Sequence, residues 1–362
     1  MFYFLLFATV MFCAMPSVFS PRHVLINGRE TTRPKLPLVV FAFIPLMIFM
    51  GFRAYMADTP GYVFSYTTGA HTFANSISNG YEFYVFIMKS LGIEVYWALF
   101  FFCVISCALL IRGIYKNSDS LIISMYYLMG SAIFFWLANG IRQFMAACIV
   151  FNLIPLIAKR KLIPYTIGII FAVWFHASAI IMLPVFFLVN NKPFSVEMIV
   201  KVMGFILALL LIFIIPPIRD VFLDIFAFSD YAKAIDETAG GSIFRVVIAL
   251  VPIIMAGFFR EELNRENNKL IFVCINLSVM SAGLYVIAAL TSGIYLGRIP
   301  IYMSISELIL FPYLFKLNTN KDWKYVLSII FLLFYATFFT LSFVHMEYAS
   351  AVLGIRSDAF RW

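Results

Sequence analysis

Long apolar runs separated by short polar loops set the character of this chain. The runs fall near residues 1–20, 36–52, 95–111, 121–138, 143–158, 162–189, 198–215, 243–259, 270–290, 299–315 and 325–344. Most are about 16–22 residues long, enough to cross a hydrocarbon core at the helical rise per residue. Lipid offers backbone N–H and C=O groups no partner, so such runs predict helices. The pattern predicts an all-α fold, a polytopic transmembrane helix bundle of about 10–12 spans. No polar stretch is long enough for a soluble domain, which predicts a single integral membrane domain over residues 1–362. Residues 53–94 and 216–242 are the larger loops between spans.

The polar positions orient the bundle. Arg22, Arg29, Arg33 and Lys35 crowd one loop, Arg112 and Lys116 a second, and Lys159-Arg160-Lys161 a third. Short basic loops stay on the cytoplasmic side. This puts the N-terminus, residues 53–94 and residues 139–142 outside. Arg260, Arg265 and Lys269, then Lys316, Lys321 and Lys324, mark two further cytoplasmic loops, and the acidic stretch 216–242 reads as outside. Those assignments agree only if 162–189 turns back on itself near His176, as two short segments rather than one span. Irregular backbone at that depth is tolerated beside a cavity. An amphipathic piece, Tyr81 to Leu91, fits a helix that lies in the interface or re-enters the membrane.

Composition narrows the class further. Hydrophobic residues make up 63% of the 362 and charged residues 12%, about half the charge of a soluble chain. The net charge of +8 is explained by topology-setting Lys and Arg, so no nucleic-acid partner is expected. Cys13, Cys103, Cys107, Cys148 and Cys274 lie in or beside apolar runs without metal-ligand spacing and are expected to be small core residues. The N-terminal run lacks a basic leader and reads as a retained first span rather than a cleaved signal.

The ionisable residues that do not mark topology collect on the outer face: Arg53, Asp58, Glu82, Lys89, Glu94, Arg142, His176 and Arg298. Charge is costly at a bundle's edge, so its retention points to a site. Arg142 opens a helix, against both the macrodipole and the positive-inside bias. A guanidinium there suits a phosphate, which the helix's own N–H groups also favour. Each position has a plainer reading: a snorkelling Arg142 or Arg298, a packed His176, a Glu82 paired with Lys89, an Asp58 that only turns the chain. Glu82, Asp58 and His176 compete as acid–base candidates. Tyr62, Tyr81 and Gln143 are candidates for sugar contact.

The motifs around these residues resemble the EpsG family of Wzy-like polysaccharide polymerases. They are Arg53 with Asp58-Thr59-Pro60-Gly61-Tyr62, Tyr81-Glu82, Ile141-Arg142-Gln143, Phe175-His176-Ala177-Ser178-Ala179, and Gly297-Arg298 through Tyr302, followed by Pro312. Ala57 stands where Gly often precedes the Asp of the first motif. The resemblance implies a GT-C-like glycosyltransferase at the periplasmic face of a bacterial inner membrane. It would join undecaprenyl-diphosphate-linked repeat units into O-antigen, capsule or exopolysaccharide, releasing undecaprenyl diphosphate. It also implies lipid-linked donor and acceptor substrates, no cofactor, no metal, and a chain-length regulator and a flippase as partners. Arg142 and Arg298, then Arg53 and Lys89, would hold diphosphate. A transporter or flippase of lipid-linked oligosaccharide is the main alternative, and a membrane O-acyltransferase a third.

Overall fold

The computed structural model describes residues 1–26, 29–56, 58–69, 78–218, 243–290, 296–317 and 321–357. They are mostly helical, with two small antiparallel hairpins. Five helical stretches are long and apolar enough to cross a membrane: Phe2–Phe19, Val95–Asn117, Ile141–Ala158, Lys269–Leu290 and Tyr325–Phe343. Shorter apolar helices add Leu36–Gly51, Leu121–Gly130, Leu162–Phe175, Ala177–Leu188 and Phe244–Phe258. Large apolar side chains point outward from them, Phe12, Ile163, Ile167, Leu333 and Leu341 among others. Such faces suit lipid, where the interior offers no hydrophobic advantage over the tails. The expected multi-span helical bundle is what the chain forms. Loop 216–242 lies almost wholly outside the described residues.

The chain divides into two compact units. The first comprises the described residues of Met1–Ala74, Asn79–Cys148 and Phe311–Trp362. In it, Leu36–Gly51 lies along Val95–Asn117. The approach is close because Gly51 carries no side chain: a Cβ there would sit 2.7 Å from the Phe100 ring. Small residues permit such contact between membrane helices, where van der Waals packing drives association. All five cysteines are buried in the packing.

Within loop 53–94 the described residues form two helices, Thr59–Thr68 and Gly80–Ser90, the second being the expected amphipathic piece. Tyr66 donates to the Ile93 carbonyl at 2.6 Å, just before Val95–Asn117, and Tyr84 to the Ala98 carbonyl within that helix at 2.5 Å. Burial pushes the Tyr81 and Tyr84 phenols up.

Two hairpins depart from the all-helical pattern. Arg22–Ile26 pairs with Arg29–Arg33, in the basic loop read as cytoplasmic. A clasp holds it down. Asp119, 5% exposed, takes Arg33 at 3.2 Å and Lys316 at 3.5 Å, while Arg22 stacks on the Tyr115 ring and bonds its hydroxyl. Near the other end of the chain, Tyr348–Ser350 pairs with Ile355–Ser357. Ala349 bridges to Tyr55, Ser350 donates to the Phe52 carbonyl, and Tyr348 to that of Phe49 at 2.6 Å. Burial pushes the Tyr348 phenol up to about 12. This strand covers the segment that follows Leu36–Gly51 and carries Arg53.

The second unit comprises the described residues of Asn75–Ser78 and Ile149–Leu310. Its main feature is the break at His176. Leu162–Phe175 stops there, His176 is extended (φ −156°, ψ 119°), and the 3-10 turn Ala177–Ile181 leads into Met182–Leu188. Tyr165 donates to the Met182 carbonyl at 2.6 Å and its ring meets Phe186 at 5.1 Å. A continuous helix would set Tyr165 and Met182 about 25 Å apart. The segment has folded back, as the loop charges required. Buried Asn276, on Lys269–Leu290, donates to the carbonyls of Val189 and Asn191 at 2.9 and 2.8 Å, closing the end of Met182–Leu188.

Candidate functional site

The first unit gathers four of the expected residues into one connected structure. Arg53 is 1% exposed. Its Nε donates to Thr59 Oγ1 at 2.9 Å and its Nη1 to the Met50 carbonyl at 2.5 Å. The guanidinium thus joins the end of one helix to the start of the next, and among the described residues Nη2 makes no hydrogen bond. Asp58 occupies the N-cap position of Thr59–Thr68 without capping it. Its Oδ2 instead accepts the N–H of Gly140 at 3.0 Å.

That bond fixes the turn before the helix Ile141–Ala158. Gly140 has φ +63°, a conformation that costs an L-residue about 1–2 kcal/mol. Arg142 follows in the first turn, and its Nη1 donates to Glu82 Oε1 at 3.3 Å. The two side chains are 10% and 22% exposed. Glu82 itself lies in the first turn of Gly80–Ser90, where a carboxylate complements the macrodipole and Arg142 opposes its own. Each side chain thus compensates the other. Glu82 Oε2 is buried and has no hydrogen bond among the described residues. Gln143 is buried beside them, 3% exposed.

The other expected residues of this unit fall elsewhere. Lys89 does not reach Glu82, although two helical turns separate them on one face; its ammonium lies 5.2 Å above the Tyr66 ring. Tyr62 and Tyr81 are buried, with centroids 5.3 Å apart, and Tyr81 packs edge-on against Phe102. They form part of the aromatic packing that holds Glu82's helix.

In the second unit, His176 joins two residues the sequence motifs contain but to which no role was attached. Its Nδ1 lies 2.7 Å from Ser178 Oγ, and Ser178 Oγ lies 2.8 Å from the Tyr302 hydroxyl. Arg298 is partly buried in the turn Leu296–Arg298, four residues before Tyr302. The Gly297 carbonyl beside it accepts from Arg245 Nη1 at 3.2 Å. Glu307, 1% exposed, accepts from Ser278 Oγ at 3.0 Å. It escaped the sequence reading although a carboxylate inside the 299–315 run is a signal in itself.

A many-span helical bundle of this kind defines a polytopic membrane protein. A family model described as the EpsG family matches residues 37–353. The chain belongs to the EpsG family, and as such it is a Wzy-like polysaccharide polymerase of the multi-pass membrane type. No curated protein and no solved structure matches it.

Proposed function

We propose that the protein joins undecaprenyl-diphosphate-linked oligosaccharide repeat units at the periplasmic face of the inner membrane. A hydroxyl of one lipid-linked unit attacks the anomeric carbon of the growing glycan on another. The new glycosidic bond forms as the carbon–oxygen bond to diphosphate breaks, and undecaprenyl diphosphate leaves with the electron pair. The hydroxyl's proton passes to a base.

The observation that carries this reading is the Arg142–Glu82 pair, held at 3.3 Å on two helix starts. Charge grows on the departing diphosphate, where a fixed cation stabilises most. A guanidinium can bridge a carboxylate and a phosphate at once. Glu82 is the base of this scheme, because Asp58 is committed to the Gly140 backbone. Asp58 and Arg53 act as positioning residues. Arg142 is assigned to the leaving diphosphate. Arg298 and His176 are further candidates for contact with a substrate phosphate. Arginine supplies the neutralising charge, so activity should persist in a chelator.

The test is a purified protein in lipid nanodiscs given synthetic lipid-linked repeat units, with products resolved by gel. A ladder from wild type in EDTA supports the reading. Transport of the lipid-linked unit between leaflets without any ladder would replace it with the flippase alternative.

A further inference from the structure

The chain break at His176 fixes more than the position of the imidazole. Nδ1 accepts the backbone N–H of Ser178 at 3.4 Å, so the ring caps the 3-10 turn that follows it. Two hydroxyls surround the same nitrogen, Ser178 Oγ at 2.7 Å and the Tyr302 hydroxyl at 3.4 Å, themselves 2.8 Å apart. Hydroxyl protons rotate to suit their neighbours, whereas a backbone amide only donates. The amide therefore sets the direction of the whole cluster. A proton on Nδ1 would face the Ser178 N–H donor to donor. A lone pair there accepts from it and can also take the Ser178 O–H, while the Tyr302 O–H can donate to Ser178 Oγ. Ser178 is 5% exposed and Tyr302 wholly buried, so packing holds the two hydroxyls, while His176 itself is only half-buried.

We propose that Ser178 and Tyr302 are positioning residues that hold neutral His176 as its Nε2–H tautomer, making it a hydrogen-bond donor to a phosphate oxygen of the lipid-linked substrate and not a base. The phosphate rests on the polymerase reading above; the tautomer does not. A base acting through Nε2 needs a lone pair there, and this tautomer carries a proton instead. A donor aimed at an anionic oxygen makes a charge-assisted bond, among the stronger kinds in a site. The assignment removes His176 from the contest for the acceptor's proton, which leaves Glu82.

Two measurements on the full-length protein in nanodiscs test this. In the first, histidine is labelled with nitrogen-15, and the His176 signals are identified as those lost in His176→Gln. The expected spectrum has a protonated Nε2 and a bare, hydrogen-bonded Nδ1, with the Nδ1 signal displaced in Ser178→Ala. A proton on Nδ1 would overturn the proposal, as would a Ser178→Ala spectrum identical to wild type. This result does not depend on substrate. In the second, chain extension is compared across variants. Glutamine carries an amide N–H near the position of Nε2, while asparagine and phenylalanine do not. His176→Gln should stay within about tenfold of wild type, and His176→Asn and His176→Phe should fall roughly a hundredfold, the size of one charge-assisted bond. Equal losses in all three would overturn the donor role. A wild type that makes no polymer yet shows the expected tautomer would overturn the phosphate assignment and the polymerase reading, leaving the tautomer standing.

Discussion

Asp58 accepts the backbone N–H of Gly140 across 82 residues of chain, at 3.0 Å. Through that bond a loop carboxylate sets the start of the helix that bears Arg142. An acidic residue read as an acid–base candidate is thereby explained as an anchor. Asparagine keeps an acceptor oxygen of the same reach, so Asp58→Asn should retain most activity, and Asp58→Ala should lose it along with about 1.5–3 kcal/mol of stability. Chain-ladder assays and melting curves on both variants check this. A dead Asp58→Asn with an unchanged melting curve would restore Asp58 as a chemical participant.

Gly140 supplies the other half of the anchor. An added Cβ would meet the Trp136 ring at 3.1 Å and would have to hold φ +63°. Gly140→Ala should cost about 1–2 kcal/mol from the backbone alone. The melting temperature should drop, and activity should fall with it. A variant as stable as wild type would mean the turn relaxes without strain.

Glu82→Gln separates pairing from chemistry. The amide keeps the shape and an acceptor for Arg142 but cannot take a proton. Activity should fall roughly a hundredfold to ten-thousandfold, the range of general base catalysis. Expression and lipid-diphosphate binding should change little. Near-normal rates in Glu82→Gln would move the base elsewhere.

Single cysteines at 139, 176 and 298 should react with an impermeant reagent from outside, and one at 265 only from within. Label on 265 from outside, or none on 139 from outside, would undo the orientation.

Much of this was written in the hydropathy pattern, since the need to satisfy backbone groups in lipid leaves helices as the only solution. Even the fold-back at His176 was readable, from loop charges that disagree unless 162–189 reverses. The hairpin Arg22–Ile26 with Arg29–Arg33 was missed, although Asn27-Gly28 between two runs of strand-forming residues is a hairpin signal. Spacing on one helix suggested Glu82 with Lys89; the true partner, Arg142, is 60 residues away, and only tertiary packing brings it there. Asp58's reach to Gly140 was hidden for the same reason. Ser178 and Tyr302 lay inside quoted motifs, but their shared contact on His176 is a property of two distant segments. Glu307 is legible in the sequence as a carboxylate inside an apolar run.

The most direct test of the central claim is chain extension by purified Arg142 variants on synthetic undecaprenyl-diphosphate-linked units. Wild type should yield a ladder, Arg142→Ala essentially none, and Arg142→Lys a rate down by about tenfold or more, because lysine keeps the charge but loses the bidentate fork. Arg142→Ala leaves the Glu82 carboxylate without its cation and should melt lower, so rates are compared per folded protein. A ladder from Arg142→Ala at the wild-type rate would contradict the account.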